Sequence, residues 1–419
     1  MANLDGVTIL RYAHIFRHRT SGGVEQYLHQ LNDALLANSR LTILQMHLVP
    51  TNSGDSTIQI EIEKRGQGQI VWIPVCVHAE DRSIGSLPGR LRVLASSSAS
   101  RRSAGALSRF AVLGRALRNT GGHLWYPSMI LSEILHEVLD AYKVDLIVLH
   151  RLSYDVGSLI SLAVQRRIPY AIVHHFDNGG LEERRIRRWL ARAAAVGGVS
   201  TPKVPLELQD AYVNLSDAVN CDFFSPARAL PVTRPNGFVV FLPGRITEGK
   251  GHLDLLLAAE GLVHAGVAVS LVFAGAIDSE PLMALLKMRA SEGGGADRVI
   301  FLGELTSQKL RDWYAACDVV VLPSSSEGLP RVLLEAQAMK KPVLAYESGG
   351  IPDALVAGLT GYLVKTGDYI AMSERLLYLM NHAQERKAMG ESGRAFVSQQ
   401  FSLATLTARH QRFYLDALT

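Results

Sequence analysis

The sequence predicts an α/β protein made of two doubly wound, Rossmann-like domains. Strand-like and helix-like runs alternate over almost the whole chain, the mark of parallel sheets built from βαβ units. That alternation breaks once, at a proline-rich stretch, and then restarts. The 419 residues are also too many for one ordinary core.

In the first half, VTILRYAHI (7–15) reads as a strand. The following GVEQYLHQLNDALL places Val24, Leu28, Leu31 and Leu35 at helical spacing. VDLIVLH (144–150), a helix, and PYAIVHH (169–175) continue the pattern, and EERRIRRWLARAA (182–194) carries its own acids and reads as an amphipathic helix. SPARALPVTRPNG, with Pro226, Pro231 and Pro235, reads as an interdomain linker. Beyond it come the strand FVVFLPG, a helix from His252, VSLVFAG, a helix from about Pro281, and VIFLG. A helix through Asp312, the strand DVVVLPSS, a helix within EGLPRVLLEAQAMKKPV, and KPVLAY complete the second half. The expected domains are residues 1–225, a linker over 226–237, and residues 238–400. The last helix, within 401–419, is expected to pack back on the first domain.

A composition of 48% hydrophobic and 20% charged residues is that of a soluble globular protein. No apolar run reaches the roughly 18 residues of a membrane span, and MANLDGVTILRYAHI lacks the basic start of a secretory signal. Cys76, Cys221 and Cys317 form neither a disulfide framework nor a metal-spaced cluster, so a reducing, cytoplasmic setting is expected. The net charge of +4 is unevenly spread: Arg82 to Arg118 holds eight arginines, and no acid occurs between Asp81 and Glu133. Basic residues near a bilayer each contribute about 1 kcal/mol toward anionic lipid. The segment is therefore expected either to meet an anionic membrane surface or to form a solvated loop.

Three stretches carry chemistry. GRITEGKG (244–251) follows a strand and opens a helix, and it fits the phosphate-loop pattern GxxxxGK[ST] at every position but the last. Gly251 stands where that pattern requires a magnesium-binding hydroxyl, and no Asp-x-Asp pair occurs in the chain to supply an acidic metal site. A metal-free alternative sets Arg245 and Lys250 as fixed cations at a strand-to-helix turn, where amide donors already favour an anion. The plainer alternative is that they are solvated turn charges. In the second stretch, Glu327 falls at the carboxyl end of a strand and Glu335 about a turn and a half into the next helix. An unpaired buried carboxylate costs several kcal/mol, so each is expected to have a partner. For Glu335 the partner is either a ligand hydroxyl or Arg331, one helical turn before it. In the third, Gly22 and Gly23 precede the first helix and let backbone amides approach a ligand. At the end of PYAIVHH, strand alternation sends His174 and His175 to opposite faces. A zinc site from His174, His175 and Asp177 is poorly spaced, and no metal is expected.

With these residues the chain resembles the GT-B glycosyltransferases, most closely the large retaining group called family 4. The resemblance is strongest over Phe238 to Asp368, where SEGLPRVLLEAQAMKKPVLAYESGGIPDAL looks like the family's E-x7-E donor-site signature, followed by GLTGYLV. It implies two Rossmann-like domains facing across a cleft, the first binding the acceptor and the second the sugar nucleotide. By the same resemblance Glu327 contacts the donor sugar and Glu335 the ribose, while Arg245 and Lys250 bind the diphosphate. Gly22 and Gly23 approach that diphosphate, His175 meets the sugar near the reacting carbon, and Gly328, Leu329 and Arg331 complete the donor site. The chain departs from the family's pattern at Pro330, where E-G-F-G is common, and at Asp217-Ala218-Val219-Asn220, where many members have Asn-Gly-Val-Asp.

The implied activity is transfer of a hexose from a nucleoside-diphosphate sugar to an acceptor hydroxyl with retention of configuration. No metal or other cofactor is expected to take part. The expected acceptor is lipid-linked or saccharide, in cell-surface polysaccharide or glycolipid assembly at the inner face of the membrane, and no nucleic acid is involved. The alternatives are a phosphate-loop-like nucleotide hydrolase and a non-catalytic sugar-nucleotide-binding protein. A nicotinamide-dependent oxidoreductase fits poorly, because the first strand runs into FRHRTSGG rather than GxGxxG.

Overall fold

A computed structural model of the chain describes residues 3–16, 23–51, 61–78, 91–92, 135–136, 138–150, 156–174, 183–198, 212–215, 217–292 and 298–419. The chain divides into two compact units: Met1–Leu215 with Thr407–Thr419, and Ser216–Leu406. The division falls at 215/216, and residues 226–237, expected as a linker, lie within the second unit. There Pro226–Arg228 make a 3-10 turn, Leu230 N–H donates to Asp312 (3.0 Å), and Arg234 pairs with Asp318 (2.7 Å).

The first unit contains β1 (Thr8–Phe16), α1 (Gly23–Ala37), β2 (Thr42–Thr51), β3 (Glu61–Arg65), β4 (Gly68–His78), β5 (Leu91–Arg92) and β6 (Leu146–His150). It continues with α2 (Val156–Arg166), β7 (Tyr170–His174), α3 (Glu183–Leu190), β8 (Ala195–Gly198) and β9 (Tyr212–Asn214). Its strands run in the order β3-β4-β2-β1-β6-β7-β8-β9, with β5 on β4, and all pairings are parallel except those of β3 and β5 with β4. The helical spacing in α1 has its physical reason here, since Leu28, Leu31 and Leu35 are wholly buried. In α3, Ile186, Trp189 and Leu190 are buried while Arg187 and Arg188 face solvent, so the basic run is one amphipathic helix. Within this unit, buried Arg11 of β1 donates to Tyr414 Oη (3.0 Å), near the end of the last helix, Leu403–Leu418. Of Arg82 to Arg118, only β5 lies among the described residues.

The second unit holds β10 (Phe238–Pro243), α4 (His252–His264), β11 (Val269–Ala274), α5 (Glu280–Glu292), β12 (Val299–Phe301), α6 (Ser307–Ala316) and β13 (Val319–Leu322). α7 (Arg331–Ala338), β14 (Val343–Tyr346), β15 (Gly361–Val364), α8 (Tyr369–Asn381) and α9 (Ala383–Gln400) follow. The strand order is β12-β11-β10-β13-β14-β15, parallel throughout. Every residue of β10, β11, β13 and β14 is buried, because helices cover both faces. Alternate residues serve opposite cores: Val239 and Phe241 join Tyr314 and Leu333, whereas Val240 and Leu242 join Leu255 and Leu286. The order reverses between β10 and β13, and in open α/β sheets ligands bind beyond the strand ends at such a reversal.

Candidate active site

Two loops leave the reversal point, one after β10 and one after β13. The first holds Arg245 and a short 3-10 turn, Glu248–Lys250. It is fixed from behind by Gly275, whose Cβ would stand 2.1 Å from Gly244 O, and by a bridge between Ile246 and Ile277. The second loop reaches back to the first. Ser324 Oγ and the Ser325 N–H both donate to Gly249 O, at 3.1 and 3.0 Å.

Lys250 and Glu327 meet where these loops come together. The ammonium donates to Glu327 Oε1, and the two side chains are only 23% and 15% exposed. The Glu327 backbone is locked as well: Gly350 N–H donates to its carbonyl (3.0 Å). Gly349, at φ 53°, lies so close that a Cβ would stand 2.3 Å from that oxygen. Arg245 is 66% exposed and pairs with Asp278 at 2.6 Å, so it is neither a free turn charge nor a buried one.

Gly251 decides the phosphate-loop reading. Its φ is 72°, and a Cβ there would stand 2.0 Å from the carbonyl oxygen of Pro323. No serine or threonine fits, so the hydroxyl that a phosphate loop needs for magnesium has no place.

Glu335 is 6% exposed and has protein partners. Tyr314 Oη, on α6, donates to its Oε2 (3.0 Å), and Arg331 Nε lies 3.8 Å from its Oε1. The ion pair with Arg331 exists, but Arg331 is shared. Its Nη1 donates to both oxygens of buried Asp217, at 3.1 and 3.3 Å. Burial pushes the Glu335 carboxyl up to about 6, against the lowering effects of Arg331 and of the Tyr314 hydrogen bond. Burial likewise raises the Asp217 carboxyl, and Arg331 opposes that rise. Neither carboxylate of the signature therefore needs a ligand as its sole partner.

The remaining candidates divide. Gly328 lies beside Glu327 and is half-buried, while the Leu329 side chain packs into the core with Leu333 and Tyr314. Gly23 opens α1. Gly22 and His175 lie outside the described residues, since β7 ends at His174. Sequence reasoning missed Asp217, Asp278, Tyr314, Ser324 and Ser325 as partners. Only Asp217 carried a signal, as part of a departure from the family pattern. His252, next to Gly251, is fully buried against Phe273 (5.2 Å between ring centroids), and burial lowers it to about 4, so it is neutral at physiological pH. Among the described residues, no group of three or more His, Cys, Asp or Glu stands close enough to hold a metal ion.

Residues 228–396, within the second unit, match the family model described as "Glycosyl transferases group 1". This stretch contains both loops. The chain is 29% identical over 174 residues to the capsular polysaccharide biosynthesis glycosyltransferase CapM of Staphylococcus aureus, covering 40% of this chain and 43% of that one. Such matches span 32% to 43% of the curated relatives' own lengths. In fold, the chain is similar to a glycosyltransferase from Rickettsia africae (TM-score 0.69, 18% identity, 99% of each chain). It is also similar to Anabaena HepE in complex with UDP and glucose (TM-score 0.63, 15% identity, 98% and 99% covered). The fold class is thus that of the GT-B structures, with two parallel-sheet α/β units.

Proposed function

We propose that the chain is a retaining glycosyltransferase that moves a hexose from a nucleoside-diphosphate sugar to an acceptor hydroxyl. The observation that carries this reading is the meeting of Lys250 and Glu327 at the strand-order reversal, with Arg245 on the same loop as Lys250. It lies inside the stretch that matches the group 1 family. The UDP and glucose held by the structurally similar HepE, and the capsule assembly of the relative CapM, favour the same class of donor and product.

The chemical difficulty is the charge on the leaving group. The anomeric carbon–oxygen bond breaks with its electron pair going to the diphosphate, and a new bond forms from the acceptor oxygen to that carbon. The acceptor's proton passes to the departing phosphate, so no protein nucleophile takes part. Lys250 and Arg245 oppose the developing anion without a divalent ion, and Glu327 and Glu335 accept hydrogen bonds from the sugar and ribose. Gly328 and the backbone of Leu329 line the sugar. Gly22, Gly23 and His175 belong to this proposal on the sequence alone.

A thermal-shift screen against UDP, GDP, ADP and CMP with their sugar conjugates identifies the donor, because a ligand of the native state raises stability. Lys250→Ala and Arg245→Ala then test the mechanism. Loss of one preorganised donor costs about 100- to 1000-fold in rate, and turnover within twofold of wild type in both variants removes the mechanism. A non-catalytic binder would show the thermal shift with no consumption of donor.

We also propose that the enzyme works at the cytoplasmic face of a membrane, on a lipid-linked or saccharide acceptor, held through Arg82 to Arg118. No helix among the described residues is long and apolar enough to cross a membrane. Flotation with anionic and neutral vesicles tests this, and the absence of salt-sensitive binding to anionic vesicles ends it.

A further inference from the structure

Among the described residues, the cluster around Glu335 contains one cation for two buried carboxylates, and its geometry is asymmetric. Arg331 gives Nη1 to Asp217, which is fixed in turn by the Ala218 N–H (2.9 Å). What remains for Glu335 is a contact of 3.8 Å to Oε1, beyond hydrogen-bond distance, while Oε2 is taken by Tyr314. Asp217 comes from the segment before β10, Tyr314 from α6 and Arg331 from α7, so three separate elements set the environment of one carboxylate.

We propose that Asp217 is a positioning residue for nucleotide binding: by holding Arg331 back, it keeps Oε1 of Glu335 open to a ligand hydroxyl. The inference rests on the reading of Glu335 as the ribose acceptor. Arginine and carboxylate prefer a bidentate pair. Without the charge on Asp217, Arg331 closes on Glu335 and consumes the acceptor inside the protein. The same closure gives Glu335 a full counter-charge and moves its protonation to lower pH.

Isothermal titration with UDP, GDP and ADP between pH 5 and 8 tests this, using wild type, Asp217→Asn, Asp217→Asn/Arg331→Gln and Glu335→Gln, with melting curves to confirm folding. In wild type, affinity rises with pH through about 6 as Glu335 ionises. Asp217→Asn binds about tenfold more weakly at pH 7.5, as for the loss of one hydrogen bond to a charged group, and its affinity is flat across pH 5 to 7. The double variant lacks the competing cation. It returns to within about threefold of wild type at pH 7.5, with its midpoint moved upward because the larger lowering influence is gone. The double variant also removes both charges together, so it tests the idea even if Asp217→Asn alone does not fold. A merely structural role for Asp217 lowers the melting temperature, weakens both variants alike and leaves the pH profile unchanged, which overturns the inference. Should Glu335→Gln bind as tightly as wild type, or wild type bind none of UDP, GDP and ADP, the parent reading falls and this inference with it. Should Glu335→Gln bind weakly while Asp217→Asn keeps both affinity and pH profile, this inference alone is overturned.

Discussion

The ammonium of Lys250 donates a hydrogen bond to Oε1 of Glu327, tying the loop after β10 to the loop after β13 where the strand order reverses. Their sequence positions are far apart, yet the parallel sheet makes them neighbours. The pair gives the site a cation that can be shared with an incoming anion without first being gathered from solvent.

Breaking this pair from either side has different consequences. Lys250→Ala leaves a mostly buried carboxylate unpaired and costs about 1–3 kcal/mol of stability. Glu327→Gln keeps an acceptor oxygen for the ammonium and costs under about 1 kcal/mol. Chemical denaturation of both variants measures the difference, and equal losses would mean that the pair contributes nothing specific.

Gly251 is required by space and by backbone. Gly251→Ser forces a side chain at φ 72° against Pro323 O, and a loss of about 2 kcal/mol or more is expected, read from the denaturation midpoint. Magnesium-dependent release of phosphate from ATP by the wild-type protein would revive the nucleotide hydrolase.

Gly349→Ala tests whether the glycine pair serves Glu327. Its Cβ would displace the Glu327 carbonyl, and a misplacement of about 1 Å costs about 100-fold in rate. The expected result is lost turnover with a far smaller loss of UDP or GDP affinity, measured by donor consumption and by calorimetry.

Glu335 makes stability depend on pH. Its carboxyl is raised from 4.5 to about 6 in the folded state, so between those values the folded chain binds more protons than the unfolded one. The associated stability is fully present below about pH 4.5 and is lost as pH rises through about 6, a change on the order of 2 kcal/mol. Subtracting the Glu335→Gln stability curve from that of wild type isolates this slope. A flat difference would show that Glu335 titrates near its ordinary value.

Much of this was legible in the sequence. The restart of alternation after Pro235 marks the second sheet, and the uninterrupted apolar runs FVVFLP and VVVL became its two central strands, buried on both faces. Arg245, Lys250, Glu327 and Glu335 were all readable from their places at strand ends and in the following helix. Less legible was β3, because EIEKR has four charged residues in five and, among the described residues, pairs only along one side, with β4. The partners Asp278, Tyr314 and Asp217 were hidden for another reason. Each lies on a different element from the residue it holds, and local spacing carries no information about such contacts. The shared Arg331 shows this best, since helical spacing gives its pairing with Glu335 and only the fold gives Asp217.

The proposed chemistry depends above all on where a diphosphate sits. A crystal of the protein with UDP or GDP, grown with EDTA, tests it most directly. Phosphate oxygens are expected within hydrogen-bond distance of Lys250 Nζ and the Arg245 guanidinium, with a ribose hydroxyl on Glu335. A diphosphate bound away from residues 245–250, or bound there only after manganese is restored, would contradict it.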